Sequence, residues 1–136
     1  MKHTVVLTAR FPHVARAIVS AMCDVVEYPT EHGRTEDDMI TILAEADAAI
    51  TLLSDPITRR VLASNPNLRI VANFAVGYNN VDVDAARELG VIVTNTPGVL
   101  TEATADLTMA LMLAVTRRVV EGDRDVRASA RVEWDP

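Results

Sequence analysis

Several residue types are scarce in this chain, and each scarcity excludes a class of protein. The single cysteine, Cys23, rules out a disulfide framework and a thiolate metal site, so we expect it to be a buried packing thiol. Lys2 is the only lysine, and Arg117-Arg118 is a pair rather than a basic patch. With a formal net charge of −6, the chain is expected to have no nucleic-acid partner.

Long apolar runs are also missing. The longest, Met109–Val115, has seven residues, against about 20 for a helix that crosses a bilayer. The apolar run in the N-terminal sequence MKHTVVLTARFP is too short for a signal peptide. We therefore expect no membrane association and a cytoplasmic location. No two of the five glycines are spaced as Gly-x-Gly, so the sequence contains no dinucleotide-binding turn.

What the chain does contain is an alternation of short apolar runs with helical segments. Crossover connections of this kind predict a parallel sheet, and near-continuous apolar strands predict that both of its faces are covered. We therefore expect an α/β fold, a flavodoxin-like doubly wound sheet of five parallel strands in the order 2-1-3-4-5. The predicted strands are His3–Leu7, Val25-Val26, Ala48–Leu53, Leu68–Phe74 and Val91–Thr94.

The helix boundaries carry recognisable signals. Thr35 with Asp38 resembles a capping box, and Asp55-Pro56 resembles an N-cap followed by a first helical position. Asp82 is predicted to cap the fourth helix and Gly90 to end it in the left-handed conformation. The first helix, opened by Pro12, should turn one apolar face inward, formed by Val14, Ala15, Ile18, Val19 and Met22.

A long C-terminal helix is predicted from Thr101 to about Ala128. It is apolar nearly all round over Leu107–Val115, and one sheet can cover only one side of it. Leaving five such side chains in water would cost on the order of 10 kcal/mol. We therefore expect a homodimer or higher homo-oligomer in which the 101–126 helix is shared or swapped between chains.

In a doubly wound sheet, ligands bind beyond the carboxyl ends of the strands. Gly77, after the fourth strand, permits a turn whose N–H groups can receive a small carboxylate, with Leu53 and Val76 as an apolar wall. A plain turn glycine at Gly77 and a loop hydroxyl at Ser54 remain the alternatives. Arg10 is expected to be a solvated cation. Loop-stitching hydrogen bonds are expected from Asn79, Asn80, Asn95 and Thr96, and no histidine stands near the predicted crevice.

Four segments together resemble the D-isomer-specific 2-hydroxyacid dehydrogenases, and among them the glyoxylate/hydroxypyruvate reductases. The segments are VVLTARFP, ITLLSDPI, LRIVANFAVGYNNVD and VTNTPGVLTEATADLTMALMLA. The resemblance implies a substrate-binding domain over residues 1–99, followed by a hinge and dimerisation helix and a linker over 100–136. It implies that Leu53, Ser54, Val76 and Gly77 bind substrate and that Thr104 approaches an NAD or NADP cofactor.

The same resemblance implies that the nucleotide-binding domain and the catalytic Arg, Glu and His would follow Pro136. On that basis the chain holds no catalytic residue, binds no cofactor tightly and is expected to be inactive alone. Asn79 departs from the family, whose members usually carry Asp there, but we expect the loop capping to survive.

Two functions stay open at this point. The first is the substrate-binding domain of an NAD(P)-dependent enzyme that reduces a small 2-oxo acid. The second is a stand-alone carboxylate-binding or dimerisation module. A response-regulator receiver is rejected, because the strand ends lack the required acidic residues and lysine.

Overall fold

A computed structural model describes residues 2–29 and 32–128, which form two compact units divided between Pro97 and Gly98. The first unit contains the sheet, and the regular elements of the second, as far as Ala128, are helices. The elements are β1 Thr4–Leu7, α1 His13–Met22, β2 Asp24–Glu27, α2 Glu36–Leu43, β3 Ala48–Thr51, α3 Arg59–Ser64, β4 Ile70–Asn73, α4 Val83–Leu89, β5 Ile92–Thr94, α5 Thr101–Thr116 and α6 Val119–Ala128.

The five strands form one parallel sheet in the order β2-β1-β3-β4-β5. This confirms the predicted fold class and strand order. The register aligns Val6, Ala49, Val71 and Val93 across four strands. Because side chains alternate along a strand, these residues lie on one face of the sheet.

Helices α2, α3 and α4 cover that face and form the core of the unit. Met39, Leu43, Val61 and Leu62 are almost completely buried against the sheet side chains. The small side chains of Ala85 and Ala86 let α4 approach closely, since both are also buried. Most of the apolar burial of the unit is concentrated in this layer.

The opposite face is less well covered, which corrects the expectation of two covered faces. Leu7, Ile50 and Ala72 are aligned on this face. Ala15 and Val19 of α1 line a groove of about 210 Å³ over it. The outer part of the predicted α1 face is exposed instead, because no described helix lies beyond it in this unit; it consists of Val14, Ile18 and Met22.

Most helix boundary predictions are confirmed. The Thr35–Asp38 capping box has both reciprocal hydrogen bonds, Asp82 caps α4, and Gly90 has a φ of +74° at the end of α4. The prediction for Asp55 was wrong, since α3 begins at Arg59 with Thr58 as its N-cap. Cys23 follows α1 and is half-buried rather than buried.

The second unit is helical as predicted, but its helix is interrupted. The Thr116 hydroxyl donates to the carbonyls of Met112 and Leu113, and Arg118 takes a left-handed φ of 51°. Such back-bonding and left-handed residues end helices, so the segment is divided into α5 and α6. The β-branched residues around the break are also poor helix formers.

The large apolar side chains of α5 are exposed on every side of the helix, with Leu107, Leu111 and Leu113 all above half exposure. The homo-oligomer stays a prediction, and the exposed apolar side chains of α5 are the surface on which it is based. Within residues 2–29 and 32–128, no helix is both long enough and apolar enough to cross a bilayer.

Candidate functional site

The turns that follow β3 and β4 lie side by side at the carboxyl end of the sheet. Phe74 N–H donates to the carbonyl of Thr51 at 2.7 Å, which continues the pairing of these strands into the turns. An isolated parallel bridge pairs Ile57 with Val81 further along. Ile57 N–H donates to the Asn80 carbonyl at 2.8 Å, and Asp82 N–H donates to the Ile57 carbonyl at 2.9 Å. The two turns are thus tied at both ends.

The structure brings together all four predicted substrate-binding residues in these turns. A Cβ placed on Gly77 would lie 3.7 Å from Leu53 Cδ1, so the Leu53 side chain lies against the glycine. Leu53 and Val76 are 52% and 37% exposed, which leaves an apolar wall open to a ligand. Ser54 is exposed.

Gly77 has no positive φ, in contrast to Gly90 and Gly98. Its backbone conformation is therefore open to other residues, so glycine is permitted in this turn but is not required by its φ. The absence of a side chain at Gly77 leaves space beside Leu53, and a Cβ placed there would be in ordinary van der Waals contact with the Leu53 side chain.

The main chain of the second turn presents donors without acceptors. The N–H groups of Val76 and Gly77 donate to no acceptor in the described part of the chain, and the same holds for Leu53 and Ser54. Unpaired N–H groups in consecutive residues attract anions. The turns therefore leave main-chain donors available to a small anion.

Two asparagines join the turns from beneath. Asn73, 1% exposed, and Asn80 exchange amide hydrogen bonds of 3.2 Å in both directions. Asn80 also donates to the carbonyls of Leu52 and Asp55 at 3.1 and 2.9 Å. Loop stitching is thereby confirmed for Asn80.

The other residues predicted to join loops by hydrogen bonds have different outcomes. Asn95 donates to the Val76 carbonyl at 2.8 Å, and Thr96 acts through its backbone N–H, which donates to Ala75 at 2.9 Å. Asn79 is exposed and its side chain has no hydrogen-bond partner among the described residues, so its predicted stitching and capping roles were wrong. Arg10 is exposed, as expected.

Sequence reasoning missed a buried polar cluster beneath the first turn. Asp55, 1% exposed, accepts from the Thr8 hydroxyl at 2.5 Å and from Leu52 N–H at 2.8 Å. Its other oxygen accepts from Arg34 at 3.2 Å, and the Arg34 side chain is only 7% exposed. Arg34 also donates to the Tyr28 carbonyl. The cluster ties the ends of β1 and β3 to the loop before α2.

Carboxyl groups with a shifted pKa lie away from these turns. The Thr4 backbone N–H, with His3 nearby, lowers the pKa of Asp47 at the amino end of the sheet. The Thr35 backbone and side chain lower the pKa of Asp38 in the capping box. Within the described residues, no three His, Cys, Asp or Glu side chains are grouped as metal ligands.

Thr104, the predicted cofactor contact, lies in the first turn of α5 and is exposed. Its N–H donates to the Leu100 carbonyl at 2.9 Å, and its carbonyl accepts from the Thr108 hydroxyl at 2.7 Å. A dinucleotide would need a glycine-rich turn for its phosphates, and these 136 residues contain no Gly-x-Gly. The residues present do not form a complete cofactor site.

The parallel sheet and its strand order define a flavodoxin-like α/β domain, with main-chain donors in the turns at the carboxyl ends of its strands. Comparison with known proteins refines this class. The model of the D-isomer specific 2-hydroxyacid dehydrogenase catalytic domain matches residues 5–129, so the chain belongs to this family.

Individual relatives are consistent with this family assignment. The chain is 43% identical over 134 residues to a glyoxylate reductase of Pyrococcus horikoshii and 46% identical over 130 residues to one of Aeropyrum pernix. These matches cover 98% and 93% of this chain but only 39% and 38% of the relatives. A crystal structure of a Thermus thermophilus protein superposes with a TM-score of 0.84 at 37% identity, covering 98% of this chain and 43% of that one.

Proposed function

We propose that this chain is the substrate-binding part of an NAD(P)-dependent dehydrogenase that reduces a small 2-oxo acid, with glyoxylate as the first candidate. Membership of the family and the relatives named glyoxylate reductase support the reaction class. The observation that carries the proposal is the pair of unpaired N–H groups at Val76 and Gly77, backed by the Leu53 side chain.

The role of each residue follows from its chemistry. The N–H groups of Val76 and Gly77 bind the carboxylate oxygens by charge-assisted hydrogen bonds, which are stronger than neutral ones. Leu53 and the Val76 side chain exclude water from the apolar side of the ligand. Ser54 offers a hydroxyl to a second oxygen. These contacts orient a 2-oxo acid by its acid group and leave its carbonyl carbon for the reaction.

The nicotinamide supplies the hydride when it is bound. Thr104 is the residue of this chain proposed to lie near it, and the phosphate-binding turn has to come from outside these residues. Positioned acid–base groups contribute about 10²- to 10⁴-fold each, and we assign none to residues of this chain. The 136-residue polypeptide alone is therefore proposed to bind a carboxylate without turning it over.

The test is a titration of the ¹⁵N-labelled chain with oxamate, and with oxamide as a matched ligand that lacks the carboxylate. Oxamate should shift the amide signals at residues 53–54 and 76–77, and oxamide should leave them in place. Equal shifts by both ligands, or shifts confined to other parts of the sheet, would contradict the proposal. Oxidation of NADH or NADPH with glyoxylate by the chain alone would contradict the assignment of catalysis to residues outside it.

A dimer or higher oligomer through the C-terminal helices is proposed from the exposed side chains of α5. Burying Leu107, Leu111 and Leu113 against a second copy would each contribute about 1.5–3 kcal/mol. Multi-angle light scattering should show a dimer that Leu111→Glu converts to monomer, whereas Asp106→Asn, on the same helix, should leave it unchanged. A wild-type monomer at micromolar concentration would refute this.

A further inference from the structure

In the turn after β4, the carbonyl groups of Ala75, Val76 and Gly77 each accept a hydrogen bond from the protein. In a trans peptide, the carbonyl of one residue and the N–H of the next lie in one plane and point in opposite directions. No cis peptide occurs among the described residues. Fixing a carbonyl in this turn therefore fixes the direction of the N–H that follows it.

Three consecutive peptides of the turn are held in this way. The N–H groups on their other sides belong to Val76, Gly77 and Tyr78, and none of them has an acceptor within residues 2–29 and 32–128. The holding donors are Thr96 N–H to the Ala75 carbonyl at 2.9 Å, the Asn95 amide to the Val76 carbonyl at 2.8 Å, and the Asn73 amide to the Gly77 carbonyl at 2.9 Å.

From this pattern we infer that Asn95 is a positioning residue, which holds the Val76–Gly77 peptide so that the Gly77 N–H stays available to a carboxylate. Asn73 does the same for the N–H of Tyr78, which becomes a third main-chain donor of the site. The inference deepens the proposed function and depends on it for the identity of the ligand. The direction of the peptide itself does not depend on any ligand.

The chemistry requires a donor at position 95. The amide N–H of Asn95 donates to a carbonyl, and an ionised carboxylate of the same size cannot. Without that bond the Val76–Gly77 peptide is free to rotate, and rotation would turn its carbonyl towards the ligand. A carbonyl oxygen repels a carboxylate, so binding should weaken while the fold is retained.

Asn95 is also the better residue to change. Asn73 is almost completely buried and exchanges hydrogen bonds with Asn80, so its replacement would disturb the joint between the turns. Among the described residues, the Asn95 amide makes one hydrogen bond, to the Val76 carbonyl at the surface. Asn79→Ala provides the matched control. Asn79 lies in the turn that contains Gly77, and its side chain has no hydrogen bond among the described residues.

The experiment compares the ¹⁵N-labelled wild type, Asn95→Ala, Asn95→Asp and Asn79→Ala. Residual dipolar couplings give the direction of the Gly77 N–H relative to the sheet, and an oxamate titration gives its affinity. Asn95→Ala should reorient the Gly77 N–H and weaken oxamate about tenfold, with little change in melting temperature. Asn79→Ala should match the wild type in both measurements.

Asn95→Asp adds a readout that a purely structural role would not move. At pH 7 its carboxylate cannot donate, whereas near pH 4 about half of an ordinary aspartate is protonated and can donate to the Val76 carbonyl. The affinity ratio of wild type to Asn95→Asp should therefore shrink on going from pH 7 to pH 4.

The outcomes separate the two ideas. An unchanged Gly77 N–H direction in Asn95→Ala overturns the positioning role, whether or not any ligand binds. Failure of the wild type to bind oxamate, with the N–H reoriented in Asn95→Ala, overturns the proposed function and leaves the positioning role standing. Equal oxamate affinity in the wild type and Asn95→Ala also overturns the inference.

Discussion

Removing the carboxylate of Asp55 should be the most damaging single change to the polar interior of the sheet unit. Asp55→Ala leaves the Arg34 guanidinium, 7% exposed, without its carboxylate partner. It also removes the acceptor that the Thr8 hydroxyl and the Leu52 N–H share. An uncompensated buried charge of this kind costs about 3–5 kcal/mol.

That cost is large compared with the total stability of a domain, about 5–15 kcal/mol. At roughly 3–5 °C per kcal/mol for a chain of this size, the melting temperature should fall by about 10–20 °C. Urea unfolding followed by circular dichroism measures the free energy, and amide exchange in β3 shows whether the sheet unit is the part affected. Adding Arg34→Met to Asp55→Ala removes the unpaired cation and should restore part of the loss.

The matched control is Asp37→Ala. Asp37 pairs with Arg60 at 2.6 Å, but the two side chains are 78% and 60% exposed. Pairs at the surface contribute about 0–1 kcal/mol, because water screens them. A loss for Asp55→Ala no larger than that for Asp37→Ala would refute the reasoning that the buried cluster stabilises the turn.

Three further changes test other parts of the fold. Leu62→Ala, at a position 1% exposed in the core, should cost about 2–5 kcal/mol in urea unfolding, and no loss would show that the core layer is wrongly assigned. Gly90→Ala should cost roughly 1–2 kcal/mol, since alanine resists the φ of +74°; a neutral result in thermal unfolding would contradict that backbone conformation. The folded-state pKa of Asp47 is lowered, chiefly by the Thr4 N–H, so its ionised form stabilises the fold above about pH 4, and this contribution is lost as pH falls further. The stability difference between wild type and Asp47→Asn should accordingly be largest at neutral pH and should vanish in acid; a difference that does not change with pH would rule this out.

The parallel sheet was predictable because its signals are local and agree with one another. Apolar runs separated by capped helices specify parallel strands, and Asp82 and Gly90 mark the ends of α4 in the sequence itself. The turn after β4 was recognisable from Gly77 following a buried strand. Its donors could be anticipated because a turn at a strand end leaves N–H groups unpaired.

What could not be predicted depends on distant partners. Asp55 before Pro56 has the pattern of a helix N-cap, and nothing near it in the sequence indicates that Arg34 and Thr8 reach it across the fold. The exposed side of α1 is a similar case, because the apolar pattern of a helix shows that a face prefers cover but not what provides it. The break at Arg118 was hidden by an apolar and charged pattern that continues through it.

The bridge between Ile57 and Val81 has a consequence for how this scaffold can vary. Because this bridge joins the turns after β3 and β4, their main-chain path is set by backbone pairing and by the asparagine amides, and not by their exposed side chains. Side chains such as Leu53 and Tyr78 can then be exchanged while the main-chain path of both turns stays constant.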